Sequence, residues 1–197
     1  MKKNTRKLKK AALLLCSAVL LVCISIGATV AYLTSQDSVT NTFTVGNVAI
    51  TLDEVKVTPD GKEDSTATTR VKTNQYHLLP GHTYTKDPTI HVATGSEDCW
   101  LFVKVENDIA AIEDPANTIA SQMTTNGWSP VESGSSIYAY RAIAHASNNI
   151  AVFDGFTISG TADVSNYAGK TIKITAYAIQ ADGFDTAEAA WTAAKLA

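Results

Sequence analysis

The segment most informative about the fold is Cys99-Trp100-Leu101-Phe102-Val103-Lys104-Val105-Glu106. Its odd-numbered residues are all apolar, whereas its even-numbered residues begin aromatic and end charged. Successive side chains of a strand point to opposite faces of the sheet. The segment therefore predicts a strand in the centre of a sheet, with one face buried throughout and the other buried only at its start.

Other segments repeat this two-residue period. Val48, Ile50 and Leu52 share one face of a predicted strand whose other face carries Thr51 and Asp53. Further strands are predicted at Ile137 to Ile143, Ile150 to Ile158, Thr171 to Ile179 and, with a weaker pattern, at Arg70 to His77 and Thr89 to Ala93. Short strands separated by Gly- and Pro-containing turns are typical of all-β domains. We expect a mainly β fold, a jelly-roll-like antiparallel β-sandwich.

Two short helices are predicted between these strands. Asp114 can cap a helix that has Pro115 at its first position and runs to about Met123. Thr186 can cap a second helix from Ala187 to Ala194. Both assignments rest on the preference of Asp and Thr for the position before a helix and of Pro for its first residue.

Residues 1–31 have the composition of a cleavable secretory signal peptide. Six of the first ten residues are basic, and no charged residue occurs between positions 11 and 30. Thr29 and Ala31 supply the small side chains that signal peptidase needs three and one positions before the cut, which would free Tyr32. An apolar run of about 20 residues is also long enough to span a bilayer, so a retained anchor is the alternative. We expect cleavage after Ala31, because the Cys, Ser and Gly residues in the run weaken it as an anchor.

Removal of this peptide makes the protein acidic. Of 16 basic residues, six lie in the first ten positions, so ten remain against 19 acidic residues, a net charge of −9. A phosphate backbone would repel such a chain, which argues against nucleic-acid binding. The remaining length suits one domain with one core.

No catalytic pattern is evident, and we expect neither enzyme activity nor a metal or cofactor. His77 and His82 are five residues apart across a Pro-Gly turn, which excludes the zinc-binding helix with histidines four apart. With His91 they are expected at surfaces or turns. Cys99 is expected to be buried, protonated and inert, because it lies within an apolar strand and has no intrachain cysteine partner after cleavage.

The aromatic residues admit two interpretations. They can pack in the core, or they can form a platform on which sugar rings stack. Their spacing along predicted strands and helices favours the core for Trp100, Trp128, Tyr138, Tyr140 and Trp191.

Two blocks resemble a known family. Gly27-Ala28-Thr29-Val30-Ala31-Tyr32-Leu33-Thr34-Ser35, followed by Asn41-Thr42-Phe43-Thr44-Val45-Gly46-Asn47-Val48, resembles the export signal and first strand of the TasA/camelysin family, whose members are processed by a SipW-type signal peptidase. Leu79-Pro80-Gly81-His82-Thr83-Tyr84-Thr85-Lys86-Asp87-Pro88 is similar to the family's Leu-x-Pro-Gly turn. The resemblance covers about residues 1–107 and is only architectural beyond them.

The resemblance implies a jelly-roll domain over residues 46–197 that is secreted to the extracellular biofilm matrix or the surface of Gram-positive cells. The expected partners are further copies of the chain, in fibres, and the SipW-type peptidase before cleavage. A monomeric adhesin on the same fold is the alternative, and a camelysin-type metallopeptidase is a further one that lacks a zinc-binding constellation here.

In such fibres the segment freed by cleavage, here residues 32–45, is donated to the next subunit as a strand. Its apolar side chains would fill pockets there, and they are Tyr32, Leu33, Val39, Phe43 and Val45. Tyr32 to Val39 is otherwise polar, so we expect it to be mobile in the monomer.

Overall fold

A computed structural model describes the backbone of residues 34–38 and 41–44 and residues 47–194 in full. The predicted signal peptide over residues 1–31, with Thr29 and Ala31, lies outside the described residues. So do Tyr32, Leu33, Val39 and Val45 of the predicted donor segment. These predictions stay predictions.

Eleven strands and two α-helices occur in the described part of the chain. The strands are β1 (Thr34–Ser38), β2 (Asn41–Thr44), β3 (Ile50–Asp53), β4 (Thr83–Thr85), β5 (Thr89–Val92), β6 (Cys99–Asn107), β7 (Trp128–Pro130), β8 (Ile137–Tyr140), β9 (Asn149–Ala151), β10 (Gly155–Thr157) and β11 (Ile172–Gln180). The helices are α1 (Ile119–Thr125) and α2 (Ala187–Ala194), and a 3₁₀ turn spans Ala110–Ile112. The fold is therefore mainly β, as predicted.

The strands form three antiparallel sheets. The largest has six strands in the order β2-β1-β11-β6-β8-β7, and the others have the orders β3-β5-β9 and β10-β4. β6 pairs with β11 over nine residue pairs, from Cys99 opposite Gln180 to Asn107 opposite Ile172. The predicted central position of the segment from Cys99 to Glu106 is confirmed, because β6 has β11 on one side and β8 on the other.

One face of the six-stranded sheet shares a hydrophobic core with the two smaller sheets. The members of this core that lie on strands include Ile50, Leu52, Tyr84, Ile90, Val92, Leu101, Val103, Ile150, Phe156, Ala176 and Ala178. They come from every other position of their strands, as a two-residue period requires.

The opposite face of the six-stranded sheet is covered by α2. Phe102 and Tyr177 contact Trp191 of this helix, with ring centroids 4.9 Å and 5.5 Å apart. Thr186 accepts a hydrogen bond from the Ala189 amide (3.2 Å), which confirms the predicted cap. The aromatic start of β6 is thus buried by a helix, whereas Lys104 and Glu106 lie beyond that helix.

Three local predictions were wrong. No strand forms at Arg70 to His77, apart from a single bridge between Val71 and Glu54. Side chains replace the ladder there: Asn74 Oδ1 accepts the Val57 amide (2.9 Å), and Tyr76 Oη donates to the Thr85 carbonyl (3.0 Å).

The predicted strand from Ile150 to Ile158 is split at Asp154-Gly155. Its first half is β9, which pairs with β5, and its second half is β10, which pairs with β4. Gly155 is required at the break, because a Cβ on this residue would lie 2.5 Å from the Tyr84 carbonyl oxygen. No other residue permits so close an approach of two backbones.

The first predicted helix begins later than expected. Thr118, and not Asp114, is its cap, and its Oγ1 accepts the Ser121 amide (3.1 Å). The Asp114 carboxylate instead accepts the Ala116 amide (2.9 Å). The Asp114 side chain is thus engaged in a local turn with the amide two residues later, and it does not cap the helix.

Candidate assembly site

β11 is the strand around which a candidate assembly site is built. Its residues Ile174 to Ile179 are all buried, because both faces of the sheet are covered at this position. Ala176 and Ala178 face the main core, and Tyr177 and Ile179 face α2. A buried strand of this kind needs a partner on both edges, since an open edge would expose apolar surface and unpaired backbone groups.

β1 supplies the partner on one edge. It pairs with β11 from Thr34 opposite Ile179 to Asp37 opposite Ala176. The expectation that Tyr32 to Val39 is mobile in the monomer is therefore wrong for residues 34–38, which form a strand on their own domain. The reason is the backbone: the open edge of β11 can bind any extended segment, whatever its side chains.

The composition of β1 is unusual for a strand next to a buried one. It reads Thr-Ser-Gln-Asp-Ser and contains no apolar residue. Its attachment to β11 therefore depends on backbone hydrogen bonds, each worth about 0.5–1.5 kcal/mol net. β2 pairs with the outer edge of β1, with Phe43 opposite Gln36.

In the described residues, the pairing of β1 with β11 ends at Asp37 opposite Ala176. Beyond Ala176, Ile174 and Ile172 line a cleft of about 970 Å³ that also reaches Leu52, Tyr76 and Phe156.

Opposite charges are buried in the wall of this cleft. Glu54 is 4% and Lys86 is 8% exposed, and Lys86 Nζ lies 2.5 Å from Glu54 Oε2. Asn74 donates from Nδ2 to the other carboxylate oxygen, Glu54 Oε1, over 3.0 Å. Sequence analysis missed this cluster, although both charges occupy inward-facing positions of alternating segments, after Ile50 and Leu52 and between Tyr84 and Pro88.

A second charged cluster lies nearer the surface. Arg70 bonds Asp53 and Asp87, and His91 Nε2 lies 2.9 Å from Asp53 Oδ1. Burial raises the pKa of Asp53, but the hydrogen bonds from Arg70 and His91 outweigh it and hold the pKa below its usual range. The carboxylate form of Asp53 therefore stabilises the end of β3.

The structure places the other candidate residues as follows. His77 and His82 are exposed, as predicted, whereas His91 is half-buried between β3 and β9. Cys99 is fully buried, which confirms the expected burial, and this burial raises the pKa of its thiol to about 12. The five aromatic residues with two interpretations belong to the two cores.

Within residues 47–194, no group of three or more His, Cys, Asp and Glu side chains is arranged to hold a metal ion. The described helices include none that has both the length and the apolar character of a membrane span. Comparison with protein-family models, curated proteins and solved structures finds no match for this chain.

Proposed function

We propose that this chain is a secreted structural protein of the extracellular biofilm matrix or cell surface, without catalytic activity, that assembles into fibres. Cleavage by a SipW-type signal peptidase frees residues 32–45, and this segment pairs with β11 of the next copy. The domain is a jelly-roll-like β-sandwich, with the six-stranded sheet as one layer and the smaller sheets as the other. Its family is that of TasA and camelysin.

The observation that carries the proposal is the contrast within β11. The strand is buried over six consecutive residues, yet one of its edges is covered by a polar segment from the N-terminal end of the chain. A site that accepts β1 of the same copy accepts the identical segment of another copy equally well, because the backbone contacts are the same. The pairing of β1 with β11 of its own copy is then the monomeric state of a strand that, in the fibre, pairs with β11 of the next copy.

The adhesin alternative receives less support from the aromatic residues. Trp100 and Trp128 are buried, and Trp191 packs on Phe102. These rings are used in the cores and are not presented as a platform.

Deletion of residues 32–39 from the mature protein tests the proposal. We expect the truncated domain to form no filaments in negative-stain micrographs, and to melt at a lower temperature because the edge of β11 is left open. A synthetic peptide of residues 32–45 should bind the truncated domain and restore its melting temperature. The same peptide with prolines in place of Ser35 and Gln36 is the control. Adjacent residues of a strand donate to opposite neighbours, so one of the two prolines removes a backbone donor toward β11.

Two results would contradict strand donation. One is a truncated protein that assembles as well as the mature form. The other is mature protein that stays monomeric at all concentrations, which would favour the adhesin alternative.

A further inference from the structure

Three side chains with complementary chemistry meet in the wall of the cleft. Glu54 follows β3, Lys86 follows β4, and Asn74 lies in the irregular segment between them. The Glu54 carboxylate bridges the other two side chains: Oε2 contacts Lys86 Nζ at 2.5 Å and Oε1 accepts Asn74 Nδ2 at 3.0 Å. A primary amine, a carboxamide and a carboxylate are thus held together.

Stability alone gives little reason for this arrangement. Moving a charged group from water into the protein interior costs several kcal/mol, which is about as much as the attraction between the two buried charges contributes. Replacing such a pair with apolar residues is therefore often neutral or stabilising. Leu52 and Phe156 line the same wall and show that apolar side chains fit here. A buried pair with a carboxamide attached is better explained by chemistry between the groups.

The carboxamide is held in a defined orientation. Asn74 Oδ1 accepts the Val57 amide at 2.9 Å, and Nδ2 also donates to the Val55 carbonyl at 2.8 Å. The Val57 N–H therefore points at the oxygen on which negative charge develops when a nucleophile adds to Cγ. A fixed donor at that position stabilises the tetrahedral intermediate of acyl transfer.

We propose that Lys86 and Asn74 form an intramolecular isopeptide bond, with Glu54 as the proton carrier. Lys86 Nζ gives a proton to Glu54 Oε2, and the neutral amine attacks Asn74 Cγ to form the new N–C bond. Glu54 then moves a proton from Nζ to Nδ2, the Cγ–Nδ2 bond breaks, and ammonia leaves. Ammonia takes up the last proton as ammonium, so Glu54 ends as a carboxylate and no oxidant or cofactor is needed.

The surroundings suit each step. Lys86 Nζ and Glu54 Oε2 are 2.5 Å apart, so a proton can pass directly between the two groups. Burial, together with the Glu54 charge, raises the pKa of Tyr76 on the same wall, so this phenol stays protonated and does not compete as a base. The cleft provides the route by which ammonia leaves.

The bond would close a covalent ring from residue 74 to residue 86. This ring contains the Pro80-Gly81 turn and Tyr84, whose hydroxyl already bonds the His77 carbonyl (2.7 Å) and the Leu79 amide (2.6 Å). A cross-link between segments adjacent in the fold restricts the unfolded chain and resists proteolysis, as a disulfide does. A chain whose single mature cysteine is buried gains such a link without sulfur chemistry.

The test is tryptic mass spectrometry of the full-length protein, produced in cells and purified under native conditions. Trypsin cuts after Lys72, Lys86 and Lys104, but it cannot cut after a lysine whose amine is acylated. We expect no cleavage at Lys86 and a single peptide from Thr73 to Lys104 whose mass is lower than its sequence mass by one ammonia molecule. Fragmentation should give no backbone ions from within the ring between residues 74 and 86.

Variants identify the participants. Glu54→Gln keeps the shape of the side chain but removes the proton carrier, so we expect the unmodified mass and normal cleavage at Lys86. Lys86→Arg should likewise give the unmodified mass and cleavage after position 86. Lys62→Arg is the matched control, because Lys62 is exposed and pairs with Asp60, and it should keep the cross-link. Circular dichroism checks that each variant is folded. The mass measured for the unaltered chain tests the bond even if a variant fails to fold.

Three outcomes would overturn the proposal. Cleavage at Lys86 with the unmodified mass shows that no bond forms. Loss of ammonia with normal cleavage at Lys86 shows a cyclic imide at Asn74 instead. A cross-link that persists in Glu54→Gln shows that Glu54 is not the proton carrier.

Discussion

β11 has two neighbours in the six-stranded sheet, and they differ in length and in composition. On one edge β6 pairs with it over nine residue pairs, and apolar side chains from both strands are buried on both faces. On the other edge β1 pairs with it over four residue pairs and contributes only hydroxyl, amide and carboxylate side chains. The first pairing is part of the core, whereas the second is held by the backbone.

This difference separates the pairing that belongs to the core of the domain from the pairing that we propose is exchanged between copies. Burial of a core side chain is worth about 1.5–3 kcal/mol, and a backbone hydrogen bond about 0.5–1.5 kcal/mol net. Side-chain burial and backbone hydrogen bonds both stabilise the β6 edge, whereas the β1 edge depends mainly on backbone hydrogen bonds. The predictions that follow test the two edges separately.

The largest effect is expected on the β6 edge. Leu101 is fully buried and lies opposite Ala178 of β11. Replacing it with Ala removes buried methyl groups and leaves a cavity, at a cost of about 2–5 kcal/mol in the free energy of unfolding. Urea denaturation measures this cost, and a change below that range would show that the β6 edge is not the core we describe.

On the β1 edge a single proline should have a smaller effect on stability and a larger one on assembly. Gln36→Pro removes one backbone donor from a strand that has neighbours on both sides, which costs about 1 kcal/mol. We expect filaments to be lost although the domain remains folded. Gln36→Ala keeps the donor and is the control at the same position, so equal assembly of the two variants would argue against a backbone-held strand.

Cys99 reports on the opening of the β6 edge, because it begins β6 opposite Gln180. Burial raises the pKa of its thiol to about 12, so we expect native protein to react with a thiol reagent only as fast as it unfolds. Cys99→Ala should cost about 1 kcal/mol and leave assembly unchanged. Rapid labelling under native conditions would contradict the burial of this edge.

The smallest effect is expected at Asp53, which ends β3 in another sheet. Its lowered pKa contributes stability above the usual value of 3.8, and this contribution is lost as the pH falls through the folded-state pKa. Asp53→Asn should therefore lower the free energy of unfolding at neutral pH by less than about 1 kcal/mol, with a matching fall in melting temperature. The difference in melting temperature between the variant and the unaltered protein should shrink in acid.

A double-mutant cycle checks the cause of the Asp53 effect. If the pairing with Arg70 is responsible, Asp53→Asn together with Arg70→Gln should cost less than the sum of the single changes. Additive costs would assign the effect to the hydrogen bond with His91 instead.

Sequence predicted the fold where one pattern acts alone. The two-residue period found β3, β5, β6, β8 and β11, and the Thr186 cap found α2. It failed at residues 70–77, where alternation is present but Asn74 and Tyr76 bond the backbone through their side chains. It also failed at Asp154-Gly155, where only the approach of Tyr84 shows why the strand must break.

The candidate site was predicted only in part. The resemblance led to the prediction of a donor segment at residues 32–45, which stays a prediction, and the sequence did not reveal that residues 34–38 pair with β11 of the same copy. The cluster of Glu54, Lys86 and Asn74 was missed because its members are far apart in sequence. A lysine and a glutamate that both occupy inward-facing positions of alternating segments are a signal that such a pair is buried.

The geometry of the β1–β11 pairing also determines how it responds to force. Hydrogen bonds of an antiparallel pair run perpendicular to the strands. Tension along the chain through β1 therefore acts parallel to the strand axis and loads every hydrogen bond of the pairing together. Peeling from one end, in contrast, breaks them one at a time. If the proposed fibres form, a polar strand of this kind would detach and exchange at rest, and yet resist when a row of joined molecules is stretched.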